Sequence, residues 1–195
     1  THVPLLRALV TQCYRDLAHT QASRTVFLVL VDAWLKLQPL ESQTHLAEAQ
    51  IMCVALCMLA HRDVQIRVGA LRILEAYAEC QHVSVSFASM APCVRSSQAA
   101  SYLEAQRWIS YHLSLGHVSS STSACVLAEL TQHMEHIPQA FHQQVLSLLP
   151  AWLSAIQFEP ESIEHVHLVS LTHMFGVTHP LAVRALWQAV DITPS

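Results

Sequence analysis

Glycine is scarce in this 195-residue chain, with three residues, and its eight prolines are scattered. Sandwiches and barrels need many short turns rich in such residues. Phosphate-cradling loops need glycine where the backbone meets the ligand. The composition argues against both. Charge is also short: Asp, Glu, Lys and Arg make up 12% of the chain, against about 25% in an average soluble domain. Lys36 is the single lysine among ten basic residues, and the net charge is −4 with His neutral. Without a Lys/Arg cluster there is nothing to neutralise a phosphate backbone, so nucleic acid is excluded as a partner class. Long hydrophobic runs are missing too. The longest, Ile51 to Ala60, has ten residues, and a membrane span needs about 20, so the mean hydropathy of +0.33 is not that of a spanning segment. No charged start followed by a short apolar block and a small-residue cleavage site marks a secretory leader.

What is present is apolar: 52% of the residues are hydrophobic, which argues against disorder. A compact chain of this size buries about 70% of the surface it exposes when unfolded. Six cysteines, at positions 13, 53, 57, 80, 93 and 125, are dispersed rather than dense, and four lie in apolar helical stretches. They read as reduced, buried thiols of a cytoplasmic protein rather than as a secreted disulfide framework. The chain opens on Thr1 and is read as a segment of a longer protein, a single unit over 1–195.

Breaks at short intervals predict nine helices: Pro4–His19, Ala22–Leu37, His45–Ala60, Asp63–Cys80, Gln98–Leu115, Ser120–Glu135, Pro138–Ile156, Pro160–Phe175 and Pro180–Asp191. Proline sits near several starts, while Gly116 and Gly176 follow two of the ends, the usual asymmetry. The stretch 81–97, with Pro92 and a brief Val83, Val85, Phe87 alternation, is read as an irregular connection. Short links make successive helices antiparallel neighbours.

The helix from Asp63 carries two apolar stripes. One is Val64, Val68, Leu71, Leu74 or Glu75, and Ala78; the other is Ile66, Ala70, Ile73 and Tyr77. Its polar strip is Gln65, Arg72, Glu75 and Glu79. A helix with two such stripes is covered on two sides. The helix before it is apolar nearly all round, so it needs neighbours before and after. Steps of about 40 residues from one helix pair to the next fit HEAT and armadillo-type repeats. The predicted fold is all-α, with antiparallel helix pairs stacked as a HEAT/armadillo-like α-solenoid. The run from Ala60 to Leu74 looks like the heart of a HEAT repeat: Asp63 opens a helix as its cap, and Arg67 follows one turn later on the same face. Arg67 either bridges to a neighbouring repeat or forms a solvated pair with Asp63. Leu181 to Leu186 echoes the Val-Arg-Ala core at Arg184, with no Asp before it.

Fourteen histidines invite a metal reading. Convergent ligands are required, and the candidates are His133, His136 and His142, the pair His165 and His167, and the thiols Cys53 and Cys57. Cys53 and Cys57 fall in the most apolar helix and read as core; none of the groups forms a known metal motif. Glu159 with Glu161, and Glu75 with Glu79, read as helix-end or solvated carboxylates rather than an acid–base pair. No nucleophile motif is present. No catalytic, cofactor-binding or metal-ligating residue is assigned, and no cofactor is expected. Protonating every histidine would carry the net charge from −4 to +10. Its plainest consequence is eroded stability at low pH, and a pH-sensing surface is the sharper alternative. Trp34, Trp108, Trp152, Trp187, Tyr14, Tyr77, Tyr102 and Tyr111 all fall on predicted helices. Most belong in the core, and one or two in an exposed groove would anchor a partner helix or peptide. Which ones do so is left unassigned.

The segment Leu148-Leu149-Pro150-Ala151-Trp152-Leu153, followed after two helices' worth of apolar pattern by Ala185-Leu186-Trp187-Gln188-Ala189, resembles the Furry family of cell-morphogenesis scaffold proteins. Val190 stands where that family usually has Leu. The segment from His61 to Leu74 is also similar to the family's repeats. The close likeness covers about 45 residues, and the first 80 resemble helical repeats in general. The resemblance implies a non-enzymatic scaffold that acts with NDR-type kinases and their Mob co-activators in cell polarity and morphogenesis, in the cytoplasm and at the cell cortex. Two alternatives stand beside it: a helical adaptor of another repeat family, serving trafficking or transport, and a His-rich metal-binding bundle.

Overall fold

The computed structural model describes residues 3–18, 22–37, 45–116, 120–159 and 161–190. Among them are ten α-helices and no strand: α1 (Val3–Arg15), α2 (Ala22–Leu37), α3 (His45–Met58), α4 (Val64–Cys80), α5 (Ala91–Arg95), α6 (Ala99–Gly116), α7 (Ser120–His133), α8 (Gln139–Leu153), α9 (Ile163–Phe175) and α10 (Pro180–Ala189). All nine expected helices are present, with α2 matching its expected bounds and the others shifted or shortened at their ends; the boundaries placed at His19, Pro160 and Asp191 lie outside the described residues. The tenth helix, α5, corrects the reading of 81–97 as irregular. A 3-10 turn over Phe87–Met90 leads into it, and Pro92 sits in its first turn, where the missing N–H costs nothing. The Val83–Phe87 alternation forms no strand. Val83 and Phe87 are instead buried in the helical core.

The helices meet in two series of neighbours. In one, α1 packs on α3, α3 on α7 and α7 on α9; in the other, α2 packs on α4, and α4, α5, α6, α8 and α10 follow in order. The two series join through α1 with α2, α3 with α4, α7 with α8, and α9 with α10. No described helix is long and apolar enough to cross a membrane.

The sequence of α3 and α4 explains their central place. Every residue from Ile51 to Ala60 is buried, and each large aliphatic among them contributes about 1.5–3 kcal/mol. On α4 the buried residues include Ile66, Ala70, Leu71, Ile73, Leu74, Tyr77 and Ala78, while Gln65, Arg72 and Glu79 face solvent. This is the two-sided burial its stripes predict. The helix starts where Asp63 Oδ1 accepts the Gln65 N–H at 2.8 Å, as a cap should. Gly69 faces α2: a Cβ there would lie 3.3 Å from a Val31 methyl and 3.5 Å from Leu28 and Phe27, so its bare backbone sets how closely α2 approaches. The expected helix-ending glycines do not take left-handed geometry. Gly176 caps α9 at φ −56°, and among the described residues the positive φ angles fall on His82 (54°) and Glu161 (70°), where a side chain makes that region costly.

Arg67 decides the packing around α4. It is 1% exposed, which rules out the solvated pair with Asp63. Its Nε donates to Val94 O at 2.6 Å, Nη1 to His61 O at 2.7 Å and Arg62 O at 2.8 Å, and Nη2 to Ser96 O at 2.7 Å. The guanidinium carbon lies 4.2 Å from the centre of the Tyr102 ring, within cation–π range. One side chain thus ties α4, the α3–α4 turn, the end of α5 and the face of α6. Desolvation lowers the Arg67 pKa, while Tyr102 and Asp63 oppose that shift; a guanidinium stays charged in proteins regardless. The echo at Arg184 has no such role: that residue is exposed, and His179 offers α10 no side-chain cap. Replacing Arg67 with Met leaves four carbonyls without a donor and lowers stability by about 3–5 kcal/mol. Arg67→Lys loses much of the same stability because an ammonium cannot fork to four acceptors, and Arg184→Ala changes it by less than about 0.5 kcal/mol. Urea unfolding of the three variants checks this, and an Arg67→Met midpoint equal to the wild type refutes the clamp.

Candidate functional site

Several polar side chains of the interior bond the protein's own backbone or one another, while the Tyr14 hydroxyl, the Ser123 hydroxyl and His179 Nε2 are buried without a hydrogen-bond partner. Gln106 on α6 is fully buried. Its amide donates to Leu56 O near the end of α3 at 2.6 Å, and its carbonyl accepts from Gln144 Nε2 on α8 at 2.5 Å. Trp152 on α8 donates its indole N–H to Ser110 Oγ on α6 at 3.0 Å. These bonds satisfy groups that helix ends and buried rings would otherwise leave open.

The histidine candidates are divided by the fold. His133 stacks on Tyr14 of α1 with ring centres 4.7 Å apart, and its Nδ1 lies 3.0 Å from Glu129 O and 3.2 Å from Glu129 Oε1. His136 lies nearby, with ring centres 6.0 Å apart. His142 turns elsewhere: it bonds Ile137 O at 2.7 Å and packs against Phe175 and His179. His165 lies beside Trp187, with ring centres 6.1 Å apart, while His167 is half-buried on another face of α9. Among the described residues no three His, Cys, Asp or Glu side chains gather in a metal-holding group.

Cys53 and Cys57 are core thiols. Burial, with Glu129 adding to it, pushes Cys57 up to about 12 and Cys53 well above its ordinary value. Burial, with Asp16 adding to it, pushes Cys13 up to about 12. A thiol so shifted is a poor nucleophile and a poor ligand. Glu75 is raised by desolvation and by Glu79, against Arg95 and Arg72, and Glu79 is exposed. Glu159 and Glu161 are also exposed, at the approach to α9.

The aromatic candidates separate cleanly. Tyr14, Tyr77, Tyr102 and Trp152 are buried. Trp108 is half-buried, stacked on His112 with ring centres 3.7 Å apart. Trp187 is half-buried and donates to Thr172 Oγ1 at 2.9 Å. The side chains of Trp34 and Lys36 lie outside the described residues. Tyr111 differs, at 50% exposed. It forms one wall of an open groove of about 420 Å³ between α6 and α8, with Arg107 beside it, Ser110 and Leu148 deep within, and Pro150 and Ala151 opposite. Ser147 and Ser154 on the groove's edge donate their hydroxyls to Gln144 O and Ala151 O, so they offer a ligand little. The trough is therefore apolar, with a guanidinium at its side. Pro150 lies inside α8, which runs on to Leu153, and its missing N–H leaves the Leu146 carbonyl without its helical donor.

A second surface escaped the sequence reading. On α9, Ile163, Val166, Val169 and Met174 are exposed, and Val177 follows just beyond the helix. The signal was present: the mixed pattern of Ile163 to Phe175 is apolar on opposite sides of one helix. Periodicity alone does not say which side is covered.

Comparison of the chain with family models, with curated proteins and with solved structures returns no match.

The thiol environments order their reactivity. Iodoacetamide at pH 8 labels exposed Cys80 first, and Cys13, Cys53 and Cys57 only as the protein unfolds. Peptide mass spectrometry over time reads this, and early labelling of Cys53 contradicts it. His167 adds a pH dependence. Desolvation lowers its pKa below 6.5, opposed by Glu164. The unfolded chain then takes up the proton first, so stability falls as pH drops from 6.5 through the lower folded value. His167→Gln removes that loss, seen as a smaller difference between urea midpoints at pH 7.5 and 5.5 than in the wild type.

Proposed function

We propose that this chain is a segment of a non-enzymatic helical-repeat scaffold that presents its flanks to protein partners. The two series of packed helices carry the reading. Four helix pairs follow one another in both series, with α5 and α6 set between the second and third pairs. Stacked as antiparallel pairs, they make a HEAT/armadillo-like α-solenoid, a form that binds through extended surfaces rather than deep pockets. The buried polar side chains point the same way: Arg67, Gln106 and Trp152 serve helix ends and helix contacts.

The likeness to Furry-type scaffolds adds a partner class. The two segments that bear it lie on α8 and α10, which pack against each other, and Leu148, Leu149, Trp152 and Leu186 are buried there. On that basis the chain serves cell polarity and morphogenesis alongside an NDR-type kinase and its Mob co-activator, in the cytoplasm and at the cell cortex.

Affinity capture of the tagged protein from cells, followed by immunoblotting for an NDR-type kinase and for Mob, tests this reading. Recovery of both is the expected result. Recovery of vesicle-coat or nuclear-transport components in their place makes the chain an adaptor of another repeat family, and recovery of neither kinase nor Mob removes the Furry assignment.

A further inference from the structure

We propose that His142 on α8 and His179 at the start of α10 form a two-nitrogen site for a divalent first-row metal ion, with Zn²⁺ as its probe. This goes beyond the scaffold reading and does not rest on it. The two ring centres lie 6.2 Å apart, with their planes at 85°. An imidazole nitrogen sits about 2.0–2.1 Å from zinc, so two rings on one ion have centres about 5–6.5 Å apart. The observed separation falls inside that range. The site joins two elements that pack together, α8 and α10. The backbone of His179 is fixed at the corner before α10, where its N–H donates to Phe175 O at 2.7 Å.

The open nitrogens single out this pair. His142 Nε2 lies 2.7 Å from Ile137 O. A carbonyl only accepts, so Nε2 carries the proton and the lone pair of the neutral ring is on Nδ1. Metal-ligating histidines hold their second N–H on an acceptor in just this way. His179 Nε2 is buried without a hydrogen-bond partner, and its ring does not cap α10. A buried polar atom left open is costly, and an ion is one of the few groups that answer it. Phe175 packs against both rings, with centres 4.9 and 5.9 Å away, and shields them on one side. The corner lies between the C-terminal end of α9 and the N-terminal end of α10, whose partial charges oppose each other, so the helix ends do not exclude a cation. His133 and His136 are equally close, at 6.0 Å, but their nitrogens are engaged. His133 meets Glu129 through Nδ1 and Thr11 through Nε2, and His136 Nε2 meets Glu135. Two protein nitrogens leave the remaining positions of a four-coordinate ion to water.

The test titrates Zn²⁺ into the metal-free full chain at pH 7.5 by calorimetry, and records thermal melts with and without the metal. The wild type is expected to bind one equivalent. His142→Gln and His179→Gln each lower the affinity about tenfold or more, while His136→Gln leaves it unchanged. Saturating zinc raises the wild-type Tm, because an ion bound by the folded form alone stabilises it, and does not raise the Tm of either site variant. Gln at 142 keeps a donor for Ile137 O, and melts in EDTA verify that each variant folds; where one does not, the other decides. No binding by the wild type overturns the proposal. So does zinc held as tightly by both site variants, or affinity that is lost in His136→Gln or in Cys80→Ser instead. Failure to capture kinase and Mob leaves this result standing, and the reverse also holds, so the two readings fail separately.

Discussion

Much of this fold depends on where one buried cation finds its acceptors. Arg67 lies inside the protein, held by four backbone carbonyls. Two come from the turn that joins α3 to α4, and two from the end of α5 and the residue after it. Carbonyls at helix ends and turns lack intrahelical donors, and a helix C-terminus carries partial negative charge. The guanidinium fork answers both needs at once. It also fixes a five-residue helix that could not hold itself: nucleation is too costly for so short a segment in water. The clamp holds the far end of 81–97, and the burial of Val83, Phe87 and Val94 in the core fixes the rest of its course between α4 and α6.

Gln106 repeats the arrangement at a neutral site. It takes the Leu56 carbonyl near the end of α3 and accepts from Gln144 on α8. With Trp152 bonded to Ser110, α6 is fastened to α3 and α8 by directional bonds. This has a physical consequence for chemistry. Each of these buried polar groups already has its partners, and a group so satisfied is poorly placed to act as a base or ligand. The cysteines show a related effect, since burial raises the thiols toward permanent neutrality. The polar interior thus goes into geometry, and what varies between possible partners is left to the outer flanks.

The elements that could be read from residues alone were those set by local rules. The Asp63 cap, the double stripe of α4 and the all-round burial of Ile51 to Ala60 each follow from spacing and residue type over one or two helical turns. What escaped depended on distant acceptors. Nothing near Pro92 announces α5, because its stabiliser is an arginine 27 residues away in the chain. The same cause separates Arg67 from Arg184. Each follows an aliphatic residue, Ile66 or Val183, but only Arg67 has a capping Asp before it and carbonyls within reach, so one is buried and the other solvated. The histidine grouping failed similarly. His133 and His142 are close in sequence, yet the turn between α7 and α8 sends one toward Tyr14 and the other toward His179.

Of the two outward surfaces, the α6–α8 groove and the α9 strip, the strip carries the greater consequence. The groove is partly self-satisfied: its serines bond their own helices, and its apolar area is shared between two walls. The strip is a single helix face whose apolar side chains stand mostly in water. Each buried CH₂ contributes about 0.8 kcal/mol, so covering several of these aliphatics at once returns more than covering Tyr111 and Pro150 alone.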